Sequence, residues 1–436
     1  MATGEGKKGS GRAPGGGRAG GRSSARRQAA IPITAVVRDA VASGRELLGA
    51  DDPLEAELWA SGLLGLFYKA DLPLDARLKL ERSVGPELVA CAEKRADAVG
   101  LAVLRALAAV AGDDLGAGAA ADRLAAQGIP EPGWAAAVGR PEFLSAWAAA
   151  DPYDDEVGYS LTFRYEGRSP HTLMALYDEG LGGIIKDASV GQFAADVDPR
   201  ALFERRADDG VRVGDVDGAV AAARIARAIA TGDRFLDNDW TPDFKEVRAL
   251  LLARTRLLLA APSADAPGAP DAKSREALAR EFLADPRAPD LAATRAIVDQ
   301  CLIARCDDGD GDPLRWSPVV VELFMLDYLP RKAVLSADEA RAVPEVLTAW
   351  VRFALTRRGL EERWIVETED TVRELAAEFV SAMGEPERFD PAGAVTAAML
   401  AAGIDPSDDL AVDAWLAGLA VPPDERERLL EGFSDS

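Results

Sequence analysis

Between Tyr159 and Val190 the chain turns from helical to strand periodicity. Tyr159, Leu161, Phe163 and Tyr165 alternate with Ser160, Thr162, Arg164 and Glu166, a spacing of two that predicts a half-buried strand with one apolar face and one wet face. Gly167, Ser169 and Pro170 then mark a turn, and His171 to Asp178 predicts a second strand. That strand carries Leu173 and Tyr177 on one face and Met174 and Leu176 on the other, as a central strand does. Gly180, Gly182 and Gly183 predict a tight return into a third strand, Ile184 to Val190. The expected object is a three-stranded antiparallel meander, too small to stand alone and needing helices on both faces.

Elsewhere the apolar positions recur at helical spacing. From Ile31 to Ala150 the pattern predicts helices throughout, with Pro53 after Asp51 and Asp52 at one start and Gly85-Pro86 opening another. Leu63, Leu64, Leu66 and Phe67 form one apolar cluster; Leu101, Val103, Leu104, Leu107 and Val110 form a second. After the meander, Val211 to Val213 reads as a short strand, and Asp217 opens an alanine-rich helix that ends before Gly232. Thr241 caps a helix running from Pro242 to about Ala260. Ala261 to Lys273 is a linker by composition. Beyond it, Asp290 and Ser317-Pro318 start helices, and Val319 to Leu329 predicts a buried central helix ended by Pro330. Ser336 and Glu339 form a capping box for a helix carrying Trp350, Val351, Ala354 and Leu355 and closed by Gly359. Val372, Leu375, Ala376, Phe379, Val380 and Met383 then make an amphipathic stripe.

The fold class is therefore mainly α with a small antiparallel β-meander, an α+β chain with a multi-helical body. Its expected organisation is a basic tail at 1–30, a helical domain at 31–150 and a small α+β domain at 151–260. A linker at 261–274 and a helical domain at 275–436 complete it.

Charge changes the picture most at the N-terminus. The chain carries −23, yet its first thirty residues hold seven of the fifty basic side chains and one of the seventy-three acidic ones, which leaves −29 on the remainder. The tail, without aromatic, leucine, isoleucine or valine, is expected to be disordered. Lys7, Lys8, Arg12, Arg18, Arg22, Arg26 and Arg27 suit a weak, salt-sensitive nucleic-acid contact or a transient contact with the acidic body. That body repels phosphate backbones and anionic membranes. Cys91, Cys301 and Cys306 are odd in number and lack CxxC spacing, which points to a reducing, cytoplasmic setting. The most apolar runs are broken by arginine, and the first residues lack an apolar signal region, so neither membrane insertion nor secretion is expected.

The segment LGGIIKD, Leu181 to Asp187, resembles one found in a family of uncharacterised hypothetical proteins of high-GC bacteria. The likeness extends into LDNDW and SPVVVELFMLDYLPRK, and it implies no activity.

Candidate chemistry is sparse. His171 is the sole histidine, which excludes His-rich zinc sites and leaves one imidazole base. Asp178, Lys186 and Asp187 could move protons, but neighbours on a regular strand point to opposite faces, so Lys186 and Asp187 need a bulge to share a pocket. Asp308, Asp310 and Asp312 match the first positions of a calcium loop that then fails at Pro313 and Val319. Asp237, Asp239 and Asp243 beside Trp240 could hold a magnesium ion, or serve a helix N-terminus without one. No cofactor is implied. The leading reading is a non-enzymatic protein-interaction or scaffold protein with another protein as partner. A metal-dependent hydrolase or transferase using the acidic cluster is the second reading, and nucleic-acid association through the tail the third.

Overall fold

The computed structural model describes residues 33–70, 72, 74–180, 182–193, 197–234, 240–259, 270–383 and 415. The basic tail and most of the expected linker lie outside the described residues. The described chain is mainly helical around one five-stranded sheet.

Helices α1 (Ile33–Ser43), α2 (Pro53–Gly65), α3 (Leu74–Arg95), α4 (Ala98–Ala111) and α5 (Ala117–Ala126) precede the sheet. Helix α2 begins where Asp52 accepts a hydrogen bond from the Leu54 N–H, with Pro53 supplying a preset φ. Helix α4 runs through the centre of this layer with Leu101, Val103, Leu104 and Leu107 fully buried. Leu63 and Phe67 are buried beside it, but Leu66, just past the end of α2, is 71% exposed, so that expected cluster is split. Gly85-Pro86 does not open a helix: Pro86 sits inside α3. A proline there forfeits one backbone bond, and the buried row Val84, Leu88, Val89 and Ala92 holds the helix through it.

The sheet has the order β4-β3-β2-β1-β5, every neighbouring pair antiparallel. The expected meander is present as β2 (Glu156–Arg164), β3 (His171–Asp178) and β4 (Ile184–Gly191), and the short strand as β5 (Arg212–Asp215). The remaining strand, β1 (Glu142–Ala150), falls in the stretch read as helical throughout. Its sequence EFLSAWAAA is rich in alanine, a helix former that is apolar on either face. The period of two is therefore masked, and pairing with β2 and β5 decides the conformation. Along β3 the odd positions His171, Leu173, Ala175 and Tyr177 are buried and join the helical core, while Met174 and Leu176 are half-buried. In register with Met174 stand Ser160 and Trp147, and Trp147 packs on Phe203 of α6 (Pro199–Glu204) at 5.4 Å between rings.

Helices α7 (Gly218–Arg234) and α8 (Pro242–Leu259) close the core face. Asp217 caps α7 by accepting from the Ala219 and Val220 N–H groups, but the helix runs past Gly232, whose missing side chain admits the Trp240 ring. Thr241 caps α8, accepting from the Phe244 N–H at 3.1 Å.

The C-terminal part comprises α9 (Ala272–Leu283), α10 (Thr294–Cys306), α11 (Pro318–Leu323), α12 (Leu329–Lys332), α13 (Ala337–Arg358) and α14 (Glu362–Ala382). Asp271 caps α9, so the last residues of the expected linker are helical, and α10 starts at Thr294, four residues after Asp290. Ser317 caps α11 as expected. Pro330 does not end the following helix. A π-turn at Phe324–Tyr328 precedes it, widening the spiral where the proline ring would otherwise meet the carbonyl one turn back. Val319 and Leu323 are exposed, so this helix is buried on one side only. The Ser336–Glu339 capping box and the left-handed Gly359 cap of α13 are both present. One hydrophobic core runs from α1 through the sheet to α8; a second gathers α9 to α14 around Trp316 and Trp350 and receives Tyr153 from the β1–β2 turn.

Candidate functional site

His171 is the first residue of β3, on the core face opposite Phe163, and its ring stacks near those of Phe163 and Tyr165, at 6.1 and 6.0 Å. Its Nε2 lies 3.3 Å from Arg254 Nη2. A guanidinium has only donors, so Nε2 is the acceptor and the imidazole proton sits on Nδ1. Arg254 in turn forks onto Glu57, with Nη1 to Oε1 at 2.9 Å and Nη2 to Oε2 at 2.5 Å, and neither side chain touches solvent. The Gly139 N–H donates to both Glu57 Oε1 and Tyr165 Oη. Burial, reinforced by the Arg254 charge, drops the His171 pKa to about 3. Burial pushes the Arg254 guanidinium down, but its bonds to Glu57 outweigh this and hold it charged. A neutral imidazole whose lone pair is spent on an arginine makes a poor general base near neutral pH. The network ties α2, β2, β3 and α8 together.

Asp178 and Lys186 meet at the far end of β3, seven residues from His171 and so about 23 Å away along an extended strand. The chain does carry a bulge there, between Leu176 and Tyr177 on the β3 side, with Lys186 the extra residue of β4. It does not unite Lys186 with Asp187. Lys186 Nζ binds Asp178 Oδ2 at 3.0 Å and also Glu156, while Asp187 accepts from the Thr241 hydroxyl at 2.5 Å. Burial lowers the Lys186 ammonium, yet its two carboxylate partners more than compensate, and its pKa is raised. His171 thus stands at one place and Asp178 with Lys186 at another, and Asp187 joins neither.

Of the metal candidates, Asp237 and Asp239 lie outside the described residues, and Asp243 is an exposed acid in the first turn of α8, where it favours the helix dipole. Asp308, Asp310 and Asp312 point to separate partners: Tyr328 and Lys332, Arg305 and Arg315, and the Leu314 N–H. Among the described residues, no group of three or more metal-ligating side chains could hold an ion. Cys91, Cys301 and Cys306 are free thiols, and burial raises the pKa of the latter two.

The partners that organise both places escaped the sequence reading. Arg254 falls on the stripe of Phe244, Val247 and Leu251, and a charge on an apolar stripe was the available signal that a buried counterion must exist. Arg315, 4% exposed, binds Asp155 and Asp310 and lies 3.9 Å from Glu179, joining the β1–β2 and β3–β4 turns to the loop between α10 and α11. No periodicity announces it. The chain matches no protein-family model, no curated protein and no solved structure.

Proposed function

We propose that this chain is a protein-interaction scaffold that accepts an extended, basic segment of another protein along β4, acting in the reducing cytoplasm. The observation that carries this reading is the position of β4. It is eight residues long and outermost, and among the described residues it pairs with β3 alone, so one row of its backbone donors and acceptors faces away from the sheet. A net charge of −23 favours a basic partner. The candidate reactive groups support a non-catalytic role, because His171, Asp178, Lys186 and Asp187 are each occupied by a structural partner. The free thiols suit a reducing compartment, and no described helix is long and apolar enough to cross a membrane.

The test is selection of extended peptides from a random library by the full chain, followed by hydrogen exchange of the complex. Basic peptides that slow exchange at 184–191 are expected. Peptides that protect other segments and leave β4 unchanged would defeat the reading.

A further inference from the structure

A cavity of about 410 Å3 opens between the end of α2, the middle of α3, the end of α4 and the outer face of α8. Its walls are mostly apolar, with Phe67, Val84 and Leu252 among them, and its size suits a small organic molecule. Its charged rim runs against the character of the rest of the chain. Lys69, Lys245, Arg248 and Arg256 line it, against Glu81, Asp114 and Asp233, so the described lining carries one net positive charge in an acidic protein.

The distribution along the cavity is uneven. At one end Asp233 is already engaged, accepting from the Tyr68 hydroxyl at 2.6 Å and from Arg248, whose guanidinium lies 4.3 Å from the Tyr68 ring. Glu81 is engaged by the Lys69 backbone N–H at 2.9 Å, and Lys69 itself is held at φ +42, in the left-handed region. Lys69, whose ammonium donates to the Gly232 carbonyl at 3.2 Å, and Lys245 add their charges at this end, and Arg248 Nε is buried there without a hydrogen-bond partner. Two turns further along α8, with Leu252 between, Arg256 donates to the Val110 carbonyl and faces Asp114. The Arg248 end therefore has three cations against two carboxylates, an excess of one positive charge, together with the orphan donor, and the apolar wall leads away from it. Desolvation lowers the pKa of both Lys69 and Arg256, as for cations held against apolar surface.

We propose that this cavity binds an amphipathic monocarboxylate of medium chain length, its carboxylate at Arg248 and its tail along Leu252 toward Val84. The single net charge of the lining selects a monoanion, and the apolar walls select a hydrocarbon tail over a small inorganic anion.

The test is titration calorimetry on the full chain with octanoate, butyrate and octanol as probes. Octanoate is expected to bind saturably at one per chain, with butyrate and octanol at least about tenfold weaker, a difference of ~1.4 kcal/mol. Arg248→Gln should weaken octanoate about tenfold or more while leaving octanol unchanged, and Leu252→Trp, which fills the cavity, should abolish both. Should Arg248→Gln fail to fold by circular dichroism, Lys245→Gln at the same end takes its place with the same expectation. Absence of saturable octanoate binding, equal binding of octanol, or octanoate affinity unchanged in the folded variants would each overturn the proposal.

Discussion

Glu57 and Arg254 stand 197 residues apart in sequence and meet through a two-point fork that no solvent reaches. Taking such a pair out of water costs about as much as their attraction returns, so the pair itself adds little net stability. Removing one member strands the other. Arg254→Met should therefore cost about 3–5 kcal/mol in urea unfolding, whereas Glu57→Leu combined with Arg254→Met should recover much of that loss. A double variant no more stable than the single one would show that the fork contributes directly.

His171 gives the protein an acid-sensitive term of known sign. Its pKa is about 3 in the folded chain and about 6.5 when unfolded, so between those values the unfolded state binds the extra proton. Stability is whole above about pH 6.5 and falls as the pH drops toward 3, at ~1.4 kcal/mol per unit. His171→Gln, which cannot take up a proton, should flatten that part of the profile while costing roughly 1 kcal/mol at neutral pH. Identical pH profiles for the two proteins would mean that the imidazole is not shielded as described.

Two glycines of α2 should respond in opposite directions to the same substitution. A Cβ on Gly65 would stand 2.2 Å from the Lys245 carbonyl oxygen, backbone that cannot swing aside, because α2 and α8 cross there. A Cβ on Gly62 meets nothing within 4 Å. Gly62→Ala should stabilise by about 0.5–1 kcal/mol through helix propensity, and Gly65→Ala should destabilise by roughly 2 kcal/mol or more. Equal effects in thermal unfolding would contradict the close crossing.

How far the sequence carries is visible residue by residue. The strand His171–Asp178, the caps Asp52, Thr241, Ser317 and Ser336, and the glycine cap at 359 are local signals, each written in a few adjacent residues, and each stands where it was expected. Strand β1 did not read as a strand because its alanines suit either structure and its partners lie elsewhere in the chain. The continuity of α3 through Pro86 and of the 318–332 helix through Pro330 likewise depends on packing that no local pattern encodes. At the candidate site the titratable residues were legible, but their partners were not. Arg254 reaches Glu57 and Arg315 reaches Asp155 only after distant segments have docked.

Arg315 offers the clearest test of how the sheet is fixed to the C-terminal helices. Its guanidinium is buried between Asp155 in the β1–β2 turn, Asp310 in the loop after α10, and Glu179 at the β3–β4 turn. Burial raises the Glu179 pKa, and the Arg315 charge pulls it back. Beside this cluster, the Tyr153 hydroxyl reaches the Trp364 carbonyl and Glu367 on α14, and Arg358 holds Asp154 at 2.5 Å. Arg315→Met would leave three neighbouring carboxylates without their shared cation, so repulsion and desolvation act at the junction and nowhere else. Hydrogen exchange should rise at 151–156, 179–183 and 307–316, while the amides of α2, α4 and α8 keep their protection, since their buried residues form a core separate from that of α9 to α14. Total stability should fall by about 3 kcal/mol. Arg315→Lys keeps the charge but cannot reach two carboxylates in a fixed fork, so it should restore only part of both effects. A loss of protection spread evenly over the molecule would mean that the two cores unfold as one unit and that Arg315 is not the pin between them.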